Sequence, residues 1–330
     1  MAQVTTLDFP VELPVVKRGE HWIARAGDRE IRLSNLDKIF WPKEGYTKGD
    51  LITYYFNISP TMLPHLENRP LTLKRMPNGV EGPYFYEKNA PSHRPEWMPT
   101  IPVKADGGTK TINFLTMTDA AHMMWIANLG CIEFHPLHAK GSDQSRPSYA
   151  FFDLDPFEPA TWDDVMHVAQ LIKVVLDRFE IESYPKTSGA TGLQIMIPLA
   201  GEQTYDEVRG FVGTISDMIH AADPSTTTLE WEVSKRTGKV FLDVNMNREG
   251  ANIAAAYSAR PEPGATVSTP FNWDESEDIR PEYFTIGTIF DRVAEVGDPF
   301  LPVATGPGYS LEQAIKELKA APRKARVIRT

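Results

Sequence analysis

The chain has 330 residues, of which 42% are hydrophobic and 24% charged, a balance typical of a folded protein and not of a disordered one. Its single cysteine excludes an intramolecular disulfide, and the absence of a long apolar run or a basic-then-apolar leader predicts a cytoplasmic protein without a membrane partner. The net charge of −10 argues against a uniformly basic surface for nucleic acid, although an acidic body can carry a local basic channel.

Hydrophobic periodicity predicts five helices along the chain. A capping-box pattern begins the first at Thr47, and Thr118 is predicted to cap a short second helix. Two longer helices with clear apolar faces follow at about residues 163–179 and 205–222, and a final helix begins near Ser310.

Short aliphatic and aromatic runs predict strands at residues 149–154, 193–199 and 239–244. These strands alternate with the two long helices, which is typical of a sheet that carries helices on one face. The sequence therefore predicts an α+β fold.

We expect a single compact unit with three parts: an extension at residues 1–30, a core domain at 31–305, and a helix with a basic tail at 306–330. The tail either follows a phosphate backbone or is a solvated terminus. Its basic residues are Lys316, Lys319, Arg323, Lys324, Arg326 and Arg329.

Two acids end the predicted strand at residues 149–154. Because side chains alternate along a strand, Asp153 and Asp155 are expected on one face, roughly 7 Å apart at their Cα atoms. Two carboxylates at the end of an apolar strand are costly without a cation, and Mg²⁺ or Mn²⁺ prefers such oxygen ligands.

A third acid, Asp243, lies in another apolar run. With Asp153 and Asp155 on a neighbouring strand it could hold two divalent ions, one activating a hydroxyl and one neutralising a leaving phosphate. The alternative is that the aspartates form turns and a salt bridge.

The segment TSGATG at residues 187–192 precedes the strand at 193–199. Its small residues allow backbone N–H groups to approach an anion, as in phosphate-binding nests, although an ordinary glycine turn has the same composition. Because no GK[ST] ending follows, a Walker site is not predicted.

In this order, DLDP at 153–156, TSGATGL at 187–193 and KVFLD at 239–243 resemble the three motifs of the polymerase domain of bacterial DNA ligase D, in the archaeo-eukaryotic primase superfamily. The resemblance covers roughly residues 30–300 and includes KRMPNGV at 74–80 and EFH at 133–135. It implies a primase-type catalytic core of mixed and antiparallel sheets packed with helices. No ligase or nuclease domain fits in the remainder, so a stand-alone member is expected.

The resemblance implies a role for each matching residue. The catalytic metal ligands are Asp153, Asp155 and Asp243. The residues that bind the incoming nucleotide are Ser188, Gly189, Thr191, Gly192, Gln194, His135, Lys74, Phe85, Tyr86 and Arg260. Among these, His135 would lie near the ribose and favour ribonucleotides, while Arg260 and an aromatic residue would bracket the base. A downstream DNA 5′-phosphate would be bound by Asn35, Lys38 and Lys48.

Three positions depart from the family pattern. Thr191 replaces the usual lysine of the glycine loop, Gln194 replaces a histidine, and Ala251 stands where a basic residue is expected. Losing cationic contacts to the triphosphate is expected to weaken nucleotide binding, and Arg248 or Lys74 could compensate.

The resemblance implies a DNA-templated nucleotidyltransferase that fills gaps or extends broken ends, in end joining or excision repair, using Mg²⁺ or Mn²⁺. Its implied partners are DNA with gaps, overhangs or 5′-phosphorylated ends, nucleoside triphosphates, an ATP-dependent DNA ligase in trans and Ku, and its implied location is with the bacterial nucleoid. The alternatives are a non-catalytic DNA-end-binding module and a metal-dependent phosphodiesterase.

Overall fold

The computed structural model describes residues 7–105 and 108–320. These residues form two compact units, each built from separate stretches of chain. The first unit contains the described parts of Met1–Ser142, together with Asn252–Thr269 and Pro281–Asp298. The second contains Asp143–Ala251, Pro270–Arg280 and the described part of Pro299–Thr330.

Antiparallel strands make up the framework of the first unit. Its strands are β1 (Val15–Arg18), β2 (His21–Ala26), β3 (Arg29–Leu33), β4 (Ile39–Trp41), β5 (Tyr46–Thr47), β6 (Leu71–Arg75), β7 (Phe85–Glu87), β8 (Thr100–Ala105), β9 (Lys110–Leu115) and β10 (Cys131–Pro136). They form a sheet β1-β2-β3, a hairpin β4-β5, and a five-stranded sheet in the order β10-β6-β9-β8 with β7 also paired to β6. Strand β6 thus lies between β7 and β10 and is paired with both.

The second unit is built on one five-stranded sheet. Its strands are β11 (Tyr149–Pro156), β12 (Tyr184–Thr187), β13 (Leu193–Pro198), β14 (Thr227–Thr228) and β15 (Val240–Leu242). Their order is β12-β13-β11-β15-β14, antiparallel except for the parallel β14–β15 pair. The sheet is mixed, and β11 lies at its centre.

Helices cover these sheets in both units. Those of the first unit are α1 (Lys48–Leu66), α2 (Ala120–Asn128) and α5 (Ile289–Val296). Those of the second are α3 (Trp162–Arg178), α4 (Tyr205–Ala222), α6 (Leu301–Thr305) and α7 (Glu312–Ala320). Helices α3 and α4 contact each other and both pack on β11. The predicted α+β class and the helix-covered sheet of the second half are confirmed.

Helix starts follow the sequence signals closely. Capping boxes begin α1 at Thr47, α3 at Thr161 and α4 at Thr204, because each threonine hydroxyl and the acid three residues on satisfy each other's backbone N–H groups. The prediction for α2 was wrong by one residue: Asp119, and not Thr118, accepts the hydrogen bond from the N–H of His122.

One further expectation, the extent of a strand, is revised. The third strand is shorter than predicted, and Asp243 lies just beyond it, where its side chain caps a 3-10 helix at Val244–Asn247. Part of the predicted N-terminal extension forms β1 and β2, which share a sheet with β3. Of the basic tail, Lys316 and Lys319 lie on α7. The other four basic residues, Arg323, Lys324, Arg326 and Arg329, lie outside the described residues.

None of the helices within the described ranges is both long and apolar enough to cross a membrane.

One buried asparagine attaches the central strand of the second unit to the 3-10 helix. The side chain of Asn247 accepts a hydrogen bond from the N–H of Phe151 at 3.0 Å and donates one to its carbonyl at 2.7 Å. Asn247 is 1% exposed, so these backbone groups have no access to water in its place.

Replacing Asn247 with alanine is expected to lower the free energy of unfolding by about 2–4 kcal/mol, because two buried backbone groups lose their partner. Urea unfolding followed by circular dichroism measures this. The exposed Asn245 provides the control, since Asn245→Ala keeps the backbone bond to Asp243 and is expected to change stability by less than about 0.5 kcal/mol. Equal losses in the two variants would contradict the assignment.

Candidate active site

Strand register in the second unit brings the three predicted acids together. Asp153 is paired across the ladder with Gln194 of β13, and Asp155 with Phe241 of β15. Asp243 follows β15 directly, and its N–H donates to the carbonyl of Asp153 at 3.0 Å. The end of β11 is therefore an acidic site assembled from two neighbouring strands.

The acids perturb one another's ionisation. Burial raises the pKa of Asp153 well above its ordinary value, and the negative charges of Asp155 and Asp243 raise it further, against the lowering effect of Gln194 and Lys186. Burial also raises the pKa of Asp243. The site is short of positive charge, a deficit that a bound cation would relieve.

The chemistry of these donors fits Mg²⁺ or Mn²⁺, which prefer carboxylate oxygens. The side chains are nevertheless not preassembled around one position: nowhere in residues 7–105 and 108–320 are three or more His, Cys, Asp or Glu side chains arranged to hold a metal ion. Gln194 Nε2 donates a hydrogen bond to Asp153 Oδ1 at 2.8 Å, and the N–H of Asn245 donates one to Asp243 Oδ1 at 3.0 Å. Each of these bonds engages one oxygen of its carboxylate, and the second oxygen and the remaining lone pairs can still serve as metal ligands.

The predicted phosphate loop lies against the acidic strand. Ser188 Oγ accepts hydrogen bonds from the N–H groups of Ala190 at 3.1 Å and Gly192 at 3.0 Å, which closes the loop tightly. A Cβ on Gly192 would stand 2.5 Å from the carbonyl oxygen of Leu154 and 3.1 Å from Asp155 Oδ1. Only glycine allows this approach, and Thr191 is exposed beside it.

A second cluster, in the first unit, is organised around the buried carboxylate of Glu133. Its Oε1 lies 2.6 Å from Lys74 Nζ, and its Oε2 lies 2.8 Å from His135 Nε2 and 3.4 Å from Arg260 Nε. The pairing of β6 with β7 and β10 places Tyr86, Lys74 and Glu133 in one row. Three of the predicted nucleotide-binding residues thus share one anion.

This arrangement fixes the proton on His135. Although burial raises the pKa of Glu133, the hydrogen bond from His135 and the charges of Arg260 and Lys74 outweigh it and lower that pKa to about 2. Burial lowers the pKa of His135 despite the attraction of Glu133. A neutral ring facing an ionised acceptor carries its proton on Nε2, so Nδ1 is left as the acceptor.

The exposed aromatic residues of β7 divide between two places. The Tyr86 ring is perpendicular to that of His135, with centroids 5.9 Å apart, whereas the Phe85 ring lies 5.1 Å from the guanidinium of Arg75. Alternation along the strand causes the division. Tyr86 is therefore placed with the Glu133 cluster, and Phe85 with Arg75.

The predicted 5′-phosphate residues form a basic cluster near the start of α1. Lys48 Nζ donates to the carbonyl of Ser34 at 2.8 Å, and Lys38 Nζ donates to that of Pro77 at 2.6 Å. Burial lowers the pKa of Lys48 to about 8, with further lowering from the charges of Lys38 and Arg75. Asn35 is exposed on the adjoining turn with a positive φ of 55°.

The sequence prediction of the sites missed four residues of these clusters, namely Lys186, Arg236, Glu133 and Arg75. Lys186 and Arg236 are buried cations of the second unit, and Arg236 and Arg248 act electrostatically on Asp243. Glu133 and Arg75 belong to the first unit. Strand pairing could have indicated Lys186 and Glu133, since each is directly opposite a predicted site residue.

Comparison with known proteins gives one consistent family. The family model described as "LigD, primase-polymerase domain" matches residues 47–300. A solved structure, the polymerase domain from Mycobacterium tuberculosis ligase D in complex with DNA, superposes with a TM-score of 0.78 at 28% identity, covering 83% of this chain and 98% of that one. The primase-type fold expected from the resemblance is confirmed.

Longer proteins are similar over the same region. The multifunctional non-homologous end joining protein LigD of Mycolicibacterium smegmatis is 32% identical over 275 residues, covering 83% of this chain and 36% of that protein. The bifunctional protein LigD of Bacillus subtilis is 35% identical over 283 residues, covering 84% of this chain and 45% of that protein. The chain therefore spans less than half the length of these relatives, and it belongs to the LigD primase-polymerase domain family.

Proposed function

We propose that the chain catalyses DNA-templated nucleotidyl transfer and fills short gaps or extends broken ends during DNA repair. The observation that carries this proposal is the register of β11, which gathers Asp153, Asp155 and Asp243 beside a tight glycine loop. Three acids next to a glycine loop suit transfer of a phosphoryl group, whereas binding of a DNA end alone does not require them.

Each cluster has a part in this reaction. Asp153, Asp155 and Asp243 would hold two divalent ions, whose chemistry would be to activate the primer hydroxyl and to neutralise the leaving phosphate. The loop at residues 188–192 positions the triphosphate, whose oxygens would replace Ser188 Oγ as the acceptor for the N–H groups of Ala190 and Gly192. Arg260 and Tyr86 bracket the base, by analogy with stacking sites for single-stranded bases.

The substrate is a DNA gap or end that carries a downstream 5′-phosphate. An ammonium has three donors. Lys38 Nζ donates to the Pro77 carbonyl and to Asn78 Oδ1, and Lys48 Nζ donates to the Ser34 carbonyl, so each retains a donor for a phosphate oxygen. Non-homologous end joining is the process named for the relatives, and DNA is bound in the similar structure. We infer the same setting here, with an ATP-dependent ligase sealing the filled strand and Ku at the ends.

The primary test is primer extension on a gapped duplex with a 5′-phosphate, with Mg²⁺ or Mn²⁺ supplied. Asp153→Asn removes one charge of the acidic site and is expected to lower the extension rate at least about a hundredfold. Asp217→Asn, at an exposed acid of α4, is the control and is expected to match the parent.

Two other outcomes identify the competing functions. Tight binding that depends on the 5′-phosphate, without nucleotide addition, would indicate an end-binding module. Shortening of the strand without any nucleotide requirement would indicate a phosphodiesterase. Parental rates in the Asp153→Asn variant would show that the site is assigned wrongly.

Binding of the 5′-phosphate is expected to weaken as pH rises through about 8, because Lys48 has its pKa lowered to that value and loses its charge above it. Fluorescence anisotropy with 5′-phosphorylated and 5′-hydroxyl gapped DNA, from neutral to mildly alkaline pH, isolates the phosphate contribution. Lys48→Arg keeps its charge throughout and is expected to flatten the profile. An unchanged fall in that variant would remove Lys48 from the phosphate site.

Preference for ribonucleotides is expected to depend on His135, whose Nδ1 accepts a hydrogen bond from a 2′-hydroxyl but gains nothing from a deoxyribose. His135→Ala is expected to lower the ratio of kcat/KM for ribo- over deoxyribonucleotides by about 3–10-fold, the value of one hydrogen bond. His93→Ala, at an exposed histidine of the same unit, is the control. A ratio equal to the parent's would place the sugar elsewhere.

A further inference from the structure

Lys186, Gln194 and Asp153 occupy directly opposed positions on three neighbouring strands. The β12–β13 ladder pairs Lys186 with Gln194, and the β11–β13 ladder pairs Gln194 with Asp153. Residues opposed across a ladder project on the same face of the sheet. The register alone therefore places these three side chains in one row.

Two hydrogen bonds join the row. Lys186 Nζ donates to Gln194 Oε1 at 2.8 Å, and Gln194 Nε2 donates to Asp153 Oδ1 at 2.8 Å. An ammonium only donates, so the oxygen of the Gln194 amide must face Lys186 and its nitrogen is left to donate to Asp153. The three residues are 1%, 4% and 7% exposed, so a flipped amide would leave buried groups facing the wrong partners.

We propose that Gln194 is a positioning residue through which Lys186 orients the Asp153 carboxylate for a divalent metal, and that it is not a contact of the incoming nucleotide. This rests on the proposed function, in that it takes Asp153 as a metal ligand. Hydrogen-bonded partners of metal-binding carboxylates are a general means of fixing ligand orientation. Gln194, which replaces the family histidine at this position, thus has a role of its own.

The neutral amide also explains how a buried lysine can support a metal site. A lysine paired directly with Asp153 would compete with the metal for the carboxylate oxygens. Gln194 keeps the ammonium one side chain away while transmitting a fixed orientation. The row therefore restrains the acid without placing a second cation on it.

Gln194→Met, which has similar length but no polar group, separates the two roles. Titration of Mn²⁺ followed by electron paramagnetic resonance, without nucleotide, gives the Kd of the metal, and extension at saturating Mn²⁺ gives the KM of the nucleotide. We expect the Mn²⁺ Kd to rise about 10–100-fold, the usual cost of losing such a partner, with the KM unchanged. Gln203→Met, at a buried glutamine of the same unit outside the row, is expected to leave both values at the parental level.

A second variant tests whether Lys186 acts through Gln194. Lys186→Met is expected to change the Mn²⁺ Kd in the parent and to have little further effect in the Gln194→Met background. Thermal melting checks that each variant folds, and Gln194→Asn, whose amide is too short to reach both neighbours, replaces Gln194→Met if that variant does not.

The outcomes separate the inference from the proposed function. A raised nucleotide KM with an unchanged Mn²⁺ Kd would overturn the inference and make Gln194 a nucleotide contact. Additive effects of the two substitutions would overturn the relay from Lys186. If the parent itself shows no saturable Mn²⁺ binding, the metal centre of the proposed function fails, and the inference fails with it.

Discussion

The pairing of β11 with β13 on one side and with β15 on the other is the constraint on which the acidic site depends. Side chains alternate along each strand, so a slip of one residue would turn Asp153 and Asp155 to the opposite face. Asn247 holds the backbone of β11 at Phe151, and the N–H of Asp243 holds it at Asp153. Two contacts from the segment after β15 therefore secure the strand that carries the acids.

Concentrating carboxylates at a buried strand end opposes folding, because each charge loses hydration and repels the others. The described residues offset this cost with a buried cation held at one remove: Lys186 reaches Asp153 through the amide of Gln194. The loop residue Gly192 approaches the carbonyl oxygen of Leu154, beside Asp155, closely enough to exclude any side chain. The cation that offsets the charge of the acids and the glycine that leaves space beside them thus come from different segments. Both are placed by strand register.

In the first unit a single buried carboxylate is surrounded by basic side chains, and strand pairing again places them. There the buried anion Glu133 gathers Lys74, His135 and Arg260, and two of its contacts lie within 2.8 Å. The single carboxylate fixes the position of two cations and the proton of an imidazole, so that polar groups are oriented before any ligand binds. Such preorganisation suits the nucleotide-binding role proposed for this cluster, because little ordering is then left to the ligand.

The sequence by itself determined the features that depend on neighbouring residues. A capping box predicted the start of α1, hydrophobic periodicity predicted α3 and α4, and the ordered motifs predicted the family and the acids. Only the tertiary structure decided the rest, because it depends on pairing between distant strands. In the sequence, Gln194 is only a replacement of the family histidine, and its strand register is needed to show that it joins Lys186 to Asp153. Glu133 likewise became central only when β6 and β10 were paired, since a linear pattern carries no information about which side chain stands opposite another.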